Sequence, residues 1–340
     1  MTLRLSVIVP VKDISDPLYR DFLKSLHAQT MPKDQYEVLA ITEGNSEEAK
    51  AIGIKRAKGD ILGFFCADNY LRDPEFLASM CWELENSMPP VVGCYTSHYD
   101  HVLTDKPLSR YFALLGANDP LCWFLGKADR SDYTISPGYS NYVICHKPSS
   151  LPSLGDNGFF CWAKDMKAVV TDPSRHFPMD AVVDMVKHTG NNAFKVIGYL
   201  KVWHRTGESF WYYLRRRYVY TRDLYFRQRG KRRWHMVGRR DWPKVALFTI
   251  MSLCGVPHLR TVWKGYKSLP DSSWAYHPIV CFSLTCVYLW CFLRWGLWSR
   301  SSSRPSGGAT ASRKLYKHLI DSPTYGGNSY SSPTLGRLHD

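Results

Sequence analysis

An apolar run that ends abruptly in acid and amide side chains is the clearest candidate for chemistry in this 340-residue sequence. Residues 61–67 are short, bounded and partly aromatic, as is typical of a strand buried on both faces of a sheet, and Asp68 and Asn69 follow directly. A carboxylate at the carboxyl end of such a strand lies where open α/β sheets bind ligands. Its oxygens suit Mg²⁺ or Mn²⁺ carrying the phosphates of a substrate. Alternatively, Asp68 caps a helix that begins near residues 73–74.

The elements around this run alternate between strands and helices. A β-α-β-α-β order favours a parallel sheet with right-handed crossovers, so we predict an α/β fold. Because Asp13, Glu43 and Asp68 end the first three strands, the carboxyl ends of those strands could share one crevice. The predicted strands are residues 5–11, 36–42, 60–67, 91–96 and 194–203, and the predicted helices are residues 17–29, 47–57, 74–85, 178–190 and 208–229.

Later segments of the chain supply further polar candidates. The helix predicted at 178–190 places Asp180 and Asp184 on one face. His204 closes the last predicted strand, and the helix from residue 208 mixes aromatic residues with arginines. These side chains could meet the strand-end acids only through the tertiary fold.

Composition narrows the class of protein. A net charge of +14 implies an anionic partner: nucleic acid, anionic lipid headgroups or a phosphorylated substrate. The ten cysteines include no Cys-x-x-Cys pair, which argues against zinc ribbons. Several of them lie in apolar runs, where cysteine behaves as a small hydrophobic residue, and this favours a reducing, cytosolic setting. The N-terminal apolar stretch is too short for a signal peptide and is typical of a first strand.

The C-terminal third is apolar and then basic. Residues 245–259 are too short to cross a bilayer upright, whereas residues 272–293 are uncharged and long enough. The alternative is a pair of helices packed on the α/β domain. We predict an α/β domain at 1–235, a membrane-associated helical segment at 236–298 and a flexible basic tail at 299–340.

Taken together, these pieces resemble the family-two glycosyltransferases, which have the GT-A fold, a Rossmann-like nucleotide-sugar-binding domain. The similarity covers about residues 3–220, and the apolar C-terminus is similar to that of membrane-associated members of bacterial or archaeal type. The motifs that carry the resemblance are Leu5-Ser-Val-Ile-Val-Pro10, Glu43-Gly-Asn-Ser46, residues 57–69, residues 155–160, the helix with Asp180, and Val202-Trp-His204.

The resemblance assigns the nucleotide sugar to the ends of the first strands. It implies that Pro10 and Val11 hold the base through their backbone and that Glu43 contributes an acid. Asp68 is expected on the metal and the diphosphate, with Asn69 helping through its amide.

The resemblance also implies Mg²⁺ or Mn²⁺, with Asp68 and His204 as ligands. The family's Asp-x-Asp motif falls on Cys66-Ala67-Asp68, so a thiol replaces its first carboxylate. Hard cations prefer oxygen, so Cys66 is a poor ligand.

The catalytic base of the family falls on Asp180, with Asp184 one turn further along as the competitor. Arg215, Arg216 and Arg217 could clamp a diphosphate or a lipid phosphate, because arginine pairs bidentately with such oxygens. Alternatively, these arginines rest on anionic headgroups.

We therefore expect an inverting, metal-dependent hexosyltransferase at the cytoplasmic face of the cell membrane, acting in glycan biosynthesis. Its donor would be a nucleotide-diphosphate sugar and its acceptor a lipid-linked or glycan group. This requires Glu43, Asp68 and Asp180 to converge on one donor. A non-catalytic scaffold that binds nucleotide sugar or lipid, and a nucleic-acid-binding protein, are the alternatives. Residues 272–293 argue against nucleic acid as the partner, and the sequence leaves the oligomeric state open.

Overall fold

The computed structural model describes residues 3–134, 140–172, 177–205 and 209–296. The chain up to Gly296 forms one compact unit. The predicted basic tail at 299–340 lies outside the described residues.

One eight-stranded sheet forms the centre of the described part of the chain. Its strands are β1 (Leu5–Pro10), β2 (Tyr36–Ile41), β3 (Ile61–Phe64), β4 (Asn69–Tyr70), β5 (Gly93–Asp100), β6 (Tyr142–Cys145), β7 (Phe159–Trp162) and β8 (Ala193–His204). Their order is β2-β1-β3-β7-β5-β8-β4, with β6 also pairing with β8. β1, β2, β3, β5 and β8 run in one direction, and β4, β6 and β7 run against it. The predicted α/β fold with a mostly parallel sheet is confirmed.

Helices cover both faces of this sheet and continue beyond it. They are α1 (Pro17–His27), α2 (Ser46–Arg56), α3 (Phe76–Glu85), α4 (Pro107–Leu115), α5 (Pro120–Phe124), α6 (Ala163–Val169), α7 (Pro178–Thr189), α8 (Phe210–Tyr220), α9 (Trp242–Cys254), α10 (Val256–Ser268) and α11 (Tyr276–Cys291). Of the predicted C-terminal apolar helices, α11 is present as one long apolar helix, whereas α10 carries three basic residues, Arg260, Lys264 and Lys267.

The central strand β3 shows why the sheet forms. Successive side chains of a strand point to opposite faces. Leu62 and Phe64 enter the core beneath α2, α6 and α7, whereas Ile61 and Phe65 enter the core beneath α1 and α3. Both faces are buried, as the uninterrupted apolar run predicts. Gly59 precedes β3, and a Cβ there would lie 2.6 Å from the backbone of Leu5, so only glycine fits this corner.

The short antiparallel strands were not predicted. β7 inserts between β3 and β5, where the sequence indicates only a turn followed by aromatic residues. β4 is two residues long, and β6 lies in the stretch 98–150 that pattern reasoning could not place. Strands this short carry too little periodicity to be recognised, and their partners are distant in sequence.

The C-terminal helices pack on the α/β part. Trp274 is fully buried beside Leu108 and Tyr111 of α4. Gly265 of α10 makes room for it, because a Cβ there would lie 2.3 Å from the indole of Trp274. Arg110 of α4 donates to both carboxylate oxygens of Asp271, at 3.0 and 3.3 Å from its Nε.

These helices also contain a possible membrane span. Within the described residues, Ser272–Trp295 is long and apolar enough to cross a membrane, and 33% of its most apolar window is buried inside the protein. Arg239–Cys254 and His258–Ser268 pass the same test only together, and they are bent by 86°. The domain boundaries at 235 and 298 stay predictions.

The Arg110–Asp271 pair should anchor the C-terminal helices in a pH-dependent way. Burial raises the pKa of Asp271, but hydrogen bonds from Ser273 and the charge of Arg110 outweigh it and hold the pKa below its ordinary value. The pair's stabilisation is therefore present above the unfolded carboxyl pKa, about 3.9, and is lost as pH falls through the lower folded value. We expect Asp271→Ala to lower the free energy of unfolding at pH 7 by about 2 kcal/mol, measured by urea denaturation.

The exposed pair Arg72–Asp100 is the matched control. Asp100→Ala should cost less than about 1 kcal/mol, because exposed ion pairs contribute little. Equal losses for the two variants, or an Asp271→Ala loss that persists unchanged at acid pH, would contradict the anchoring role.

Candidate functional site

Asp68 and His204 lie side by side at one edge of the sheet. Strand β4 pairs antiparallel with the end of β8, with Asn69 opposite His204. The carbonyl of Asp68 accepts a hydrogen bond from the backbone N–H of Arg205 at 2.9 Å. This register brings Nε2 of His204 to 3.3 Å from Oδ2 of Asp68.

The two side chains hold each other in their charged forms. Burial raises the pKa of Asp68, but His204 and Arg216 outweigh it and the pKa lies below its ordinary value. Burial lowers the pKa of His204, but Asp68 and Asp129 outweigh it and the pKa lies above its ordinary value. An opposite charge at this distance favours ionisation. The pair is therefore an ionised carboxylate beside a histidine that is readily protonated.

The pair fits as part of a divalent-metal site. Two neighbouring ligands around Mg²⁺, each about 2.1 Å from the ion, lie about 3 Å apart, which is close to the 3.3 Å between Asp68 and His204. Mg²⁺ is commonly held by one or two protein ligands together with substrate phosphates. Asp68 and His204 could therefore hold the ion once a diphosphate supplied the other oxygens.

Asn69 has a structural position. Its side-chain oxygen accepts from the backbone N–H of Cys66 at 2.8 Å, and its amide donates to Asn157 at 3.2 Å. The residue is fully buried. Both ends of the amide therefore tie the Asp68 loop to the turn before β7, and nucleotide binding by Asn69 stays a prediction.

A second group of charges lies beside Cys66. Nζ of Lys50 lies 2.6 Å from Asp156 and 3.5 Å from Glu47, and the ammonium is almost completely buried. The thiol of Cys66 donates to Asp156 at 3.8 Å. Sequence reasoning missed Glu47, Lys50 and Asp156; the turn at residues 155–158 was the one visible signal.

The charged side chains around Lys50 shift one another's pKa values. Burial opposes the charge on Lys50, but Asp156 and Glu47 outweigh it and raise the pKa of Lys50. Burial, Asp156 and Asp68 together raise the pKa of the Cys66 thiol well above its ordinary value. Cys66 is therefore protonated at neutral pH, a state unsuited to binding a hard cation.

Asp180, the predicted base, lies at the start of α7 and is 1% exposed. One of its oxygens accepts from the backbone N–H groups of Arg233 and Trp234, at 3.1 and 2.7 Å. The other lies 2.8 Å from Nε of Arg232. The competitor Asp184 pairs with Arg233 at 2.6 Å. The role of Asp180 as base stays a prediction, and it requires these partners to be exchanged for an acceptor.

Asp180 is linked to the Lys50 group. Arg232 and Glu47 act on each other's pKa, so their charges are close. The turn that holds Asp156 packs on the start of α7, since a Cβ on Gly155 would lie 2.8 Å from Pro178. We call the resulting set the charged row; its members are Glu47, Lys50, Asp156, Asp180 and Arg232. The charged row meets the Asp68–His204 pair at Cys66.

The remaining predicted ligands lie at the ends of β1 and β2. Pro10 is the last residue of β1, and the N–H of Val11 donates to Ile41 at 2.9 Å. Glu43 is half exposed and pairs with Arg56 at 2.7 Å rather than with a member of the charged row. The charged row thus connects Asp180 to the surroundings of Asp68, whereas Glu43 pairs with Arg56. The convergence of the three acids on one donor stays a prediction.

The three arginines of α8 differ. Arg216 is exposed but close enough to lower the pKa of Asp68. Arg215 is exposed, and Arg217 is directed to Asp119, at 3.7 Å. Arg216 is therefore the arginine best placed to meet a phosphate bound at Asp68.

Behind His204 lies a second buried carboxylate that the sequence did not single out. Asp129 accepts from the hydroxyl of Tyr99 and lies 3.8 Å from the guanidinium of Arg130. Burial raises the pKa of Asp129. The space here is a narrow crevice with no room for a water molecule, lined by Tyr99, Ser109, Phe112, Ala113, Asn118 and His204.

Comparison with known proteins shows similarity to glycosyltransferases of solved structure. No protein-family model and no curated protein sequence matches the chain. The crystal structure of S. aureus TarS 1-349 in complex with UDP matches with a TM-score of 0.40 at 12% identity, covering 89% of this chain and 93% of that one. Mannosyltransferase PcManGT from Pyrobaculum calidifontis, in complex with GDP-Man and Mn²⁺, matches with a TM-score of 0.37 at 13% identity, covering 94% and 81%. At sequence identities and TM-scores this low, the similarity carries no conclusion about the activity of this chain.

Breaking the Lys50–Asp156 pair from its two sides should have unequal effects. Asp156→Ala leaves a buried ammonium with only Glu47, and we expect a loss of about 3 kcal/mol in the free energy of unfolding. Lys50→Met keeps the packing and leaves two carboxylates, Glu47 and Asp156, that are both partly solvated, so the loss should be smaller, about 1 kcal/mol. Urea denaturation of both variants and of the double variant measures this.

The double variant is the control, because removing both charges removes the unpaired ammonium. It should be more stable than Asp156→Ala alone. Additive losses would show that the two charges do not depend on each other.

Proposed function

We propose that this protein is an inverting glycosyltransferase that moves a sugar from a nucleotide-diphosphate donor to a hydroxyl or lipid-phosphate acceptor. The observation that carries the proposal is the Asp68–His204 pair at the carboxyl end of β3, with Arg216 alongside and the charged row leading to Asp180. This arrangement can receive a diphosphate at one end and a carboxylate-activated acceptor at the other.

The chemistry follows from the charges. The acceptor oxygen attacks the anomeric carbon of the sugar, and the bond from that carbon to the diphosphate oxygen breaks. A hydroxyl acceptor gives its proton to a carboxylate, proposed as Asp180, while Arg216 and the protonated form of His204 can offset the charge on the leaving diphosphate. A bound Mg²⁺ or Mn²⁺ would be held by Asp68 and by the neutral form of His204, and it would then supply the positive charge to that diphosphate in place of the imidazolium.

Asp180 is covered by residues 232–234, so this role requires the segment after α8 to open when substrates bind. Asp129 is the second candidate for the base, because burial raises its pKa and its hydrogen-bond partner Tyr99 packs against His204, with the two ring centroids 5.7 Å apart. The two assignments differ in which variant loses transfer to a hydroxyl.

We further propose that the protein works at the cytoplasmic face of a membrane. Supporting this, α9 to α11 expose large apolar side chains that a lipid surface would cover. They include Leu247, Ile250, Leu253, Trp263, Ile279, Phe282 and Trp290, and the exposed Leu293 follows directly after α11. Arg260, Lys264 and Lys267 on α10 would attract anionic headgroups.

A non-catalytic protein of the same fold is the second candidate function. It is favoured by Cys66, whose protonated thiol stands where the family has a metal-binding carboxylate, and by the fully engaged state of Asp180. Calorimetry that detects nucleotide-sugar binding, with no diphosphate release on any acceptor, would favour this role.

Removal of the proposed metal ligands should abolish transfer. In a donor screen read out by nucleoside diphosphate release in the presence of membrane extract, we expect Asp68→Asn and His204→Gln to reduce the rate about 100-fold or more. A chelator should reduce wild-type transfer to a similar extent, and Mg²⁺ or Mn²⁺ should restore it only in the wild type.

Asp100→Asn, at a partly buried acid on β5 that pairs with the exposed Arg72, is the matched control and should keep full activity. Full transfer by Asp68→Asn, or by the chelated protein, would overturn the metal assignment.

The base assignment can be tested with two acceptors. A hydroxyl acceptor needs a base, whereas a lipid phosphate is already a nucleophile. Asp180→Asn should therefore lower transfer to a hydroxyl about 100-fold and affect transfer to a lipid phosphate far less. Asp184→Asn, one turn along α7, is the matched control.

If Asp129→Asn instead gave the selective loss on hydroxyl acceptors, Asp129 would be the base. If Asp180→Asn retained full transfer to every hydroxyl acceptor, the assignment of Asp180 would be wrong.

A further inference from the structure

Two histidines and a cysteine meet in a buried cluster that includes none of the residues of the candidate functional site. His277 and Cys281 are one turn apart on α11 and therefore share a face, and His258 reaches them from α10. All three are at most 1% exposed. Their possible ligand atoms all lie within 4.8 Å of one another.

The distances within the cluster match those around one metal ion. Nδ1 of His258 lies 3.1 Å from Nε2 of His277, and Sγ of Cys281 lies 3.8 Å from that same Nε2. With metal–nitrogen bonds of about 2.0 Å and a metal–sulfur bond of about 2.3 Å, tetrahedral or trigonal ligands are separated by about 3.3–3.8 Å. Sγ of Cys281 also lies 3.9 Å from Nδ1 of His277, so its side chain has to turn toward Nε2 for one ion to reach all three atoms.

The ring nitrogens that face away from the cluster already have partners. Nε2 of His258 lies 3.1 Å from the hydroxyl of Ser252 on α9, and Nδ1 of His277 lies 2.9 Å from the hydroxyl of Tyr111 on α4. A metal-binding histidine normally donates its other N–H to such an acceptor, which fixes the ring and its tautomer. The supporting contacts of a metal site are therefore in place.

We propose that His258, His277 and Cys281 bind a single d¹⁰ transition-metal ion, Zn²⁺ or Cu⁺. Thiolate and imidazole are the ligands that these ions select, and a d¹⁰ ion accepts three or four ligands without a preferred geometry. The ion joins α10 to α11 and, through Ser252 and Tyr111, to α9 and α4. It stabilises the C-terminal helices and takes no part in the proposed transfer reaction.

Metal binding releases one proton from the cluster. Without metal, one proton lies between the two imidazoles and Cys281 keeps its thiol proton. With metal, His258 carries its proton on Nε2 and donates to Ser252, His277 keeps its proton on Nδ1 and donates to Tyr111, and Cys281 releases one proton to solvent. The net charge of the site becomes +1 with Zn²⁺ and zero with Cu⁺.

The test measures metal binding by the full-length protein in detergent or nanodiscs, in a His204→Gln background with excess Mg²⁺ so that the Asp68 site does not contribute. Zn²⁺ is titrated in competition with a chromophoric chelator, and Cu⁺ is titrated under reducing, anaerobic conditions. We expect one equivalent of one of these ions per chain, and a higher melting temperature when it is bound. The two arms decide which ion the site prefers.

Variants locate the site. His277→Gln and Cys281→Ser should abolish stoichiometric binding, and Ser252→Ala should weaken it about 10- to 100-fold. Cys291→Ser is the matched control, at another fully buried cysteine of α11, and should bind as the parent does. X-ray absorption of the metal-loaded parent should show two nitrogen neighbours and one sulfur neighbour, a readout that does not depend on variants folding.

Binding that persists in His277→Gln and Cys281→Ser, a metal shell without sulfur, or no stoichiometric binding of either ion would overturn the proposal. Loss of transfer activity does not enter the test. The proposed glycosyltransferase function and this metal site can therefore fail independently.

Discussion

The pairing of a two-residue strand, β4, with the end of β8 is the constraint on which the candidate site depends. It places the carbonyl of Asp68 on the N–H of Arg205 and the side chain of Asp68 beside His204. Backbone hydrogen bonds set this register, so the carboxylate and the imidazole are positioned before any ligand binds. Because the two groups are already in position, no free energy is needed to bring them together when a phosphate binds.

Near that pair several charged side chains are buried, and each of them has a partner of opposite charge. Lys50 is almost completely buried, yet carboxylates on two sides keep it protonated. Arg232 plays the corresponding part for Asp180. Each buried charge has a partner close enough to offset the desolvation that it suffers. The turn at 155–158 and the start of α7 pack together, which holds Asp156 and Asp180 on adjoining elements.

The C-terminal helices have two different faces. One is buried against α4 and α5 around Trp274 and carries the polar cluster at His258 and His277. The other exposes large apolar side chains to the surroundings. A helix that is apolar all round is stable only where both of its sides are covered. The stretch Ser272–Trp295 is of this kind: it is long and apolar enough to span a bilayer, and part of it is buried within the protein.

Local sequence patterns are enough to predict most strands and helices. Residues 61–64 of the apolar run at 61–67 form a central strand buried on both faces, the five parallel strands overlap the predicted ones, and the helices at 46–56, 76–85 and 178–189 begin and end within two residues of the predicted bounds. Local periodicity is enough for such elements because each of them buries a regular set of side chains.

Which polar residues meet depends on the tertiary structure and could not be predicted from local patterns. It brought His204 to Asp68, placed Lys50 between Glu47 and Asp156, and directed Glu43 to Arg56 instead. It also inserted β7 between β3 and β5 and gathered two histidines and a cysteine from α10 and α11. The physical reason is that an ion pair or a metal site depends on distances of a few ångströms between residues far apart in the chain, and no local pattern records such distances.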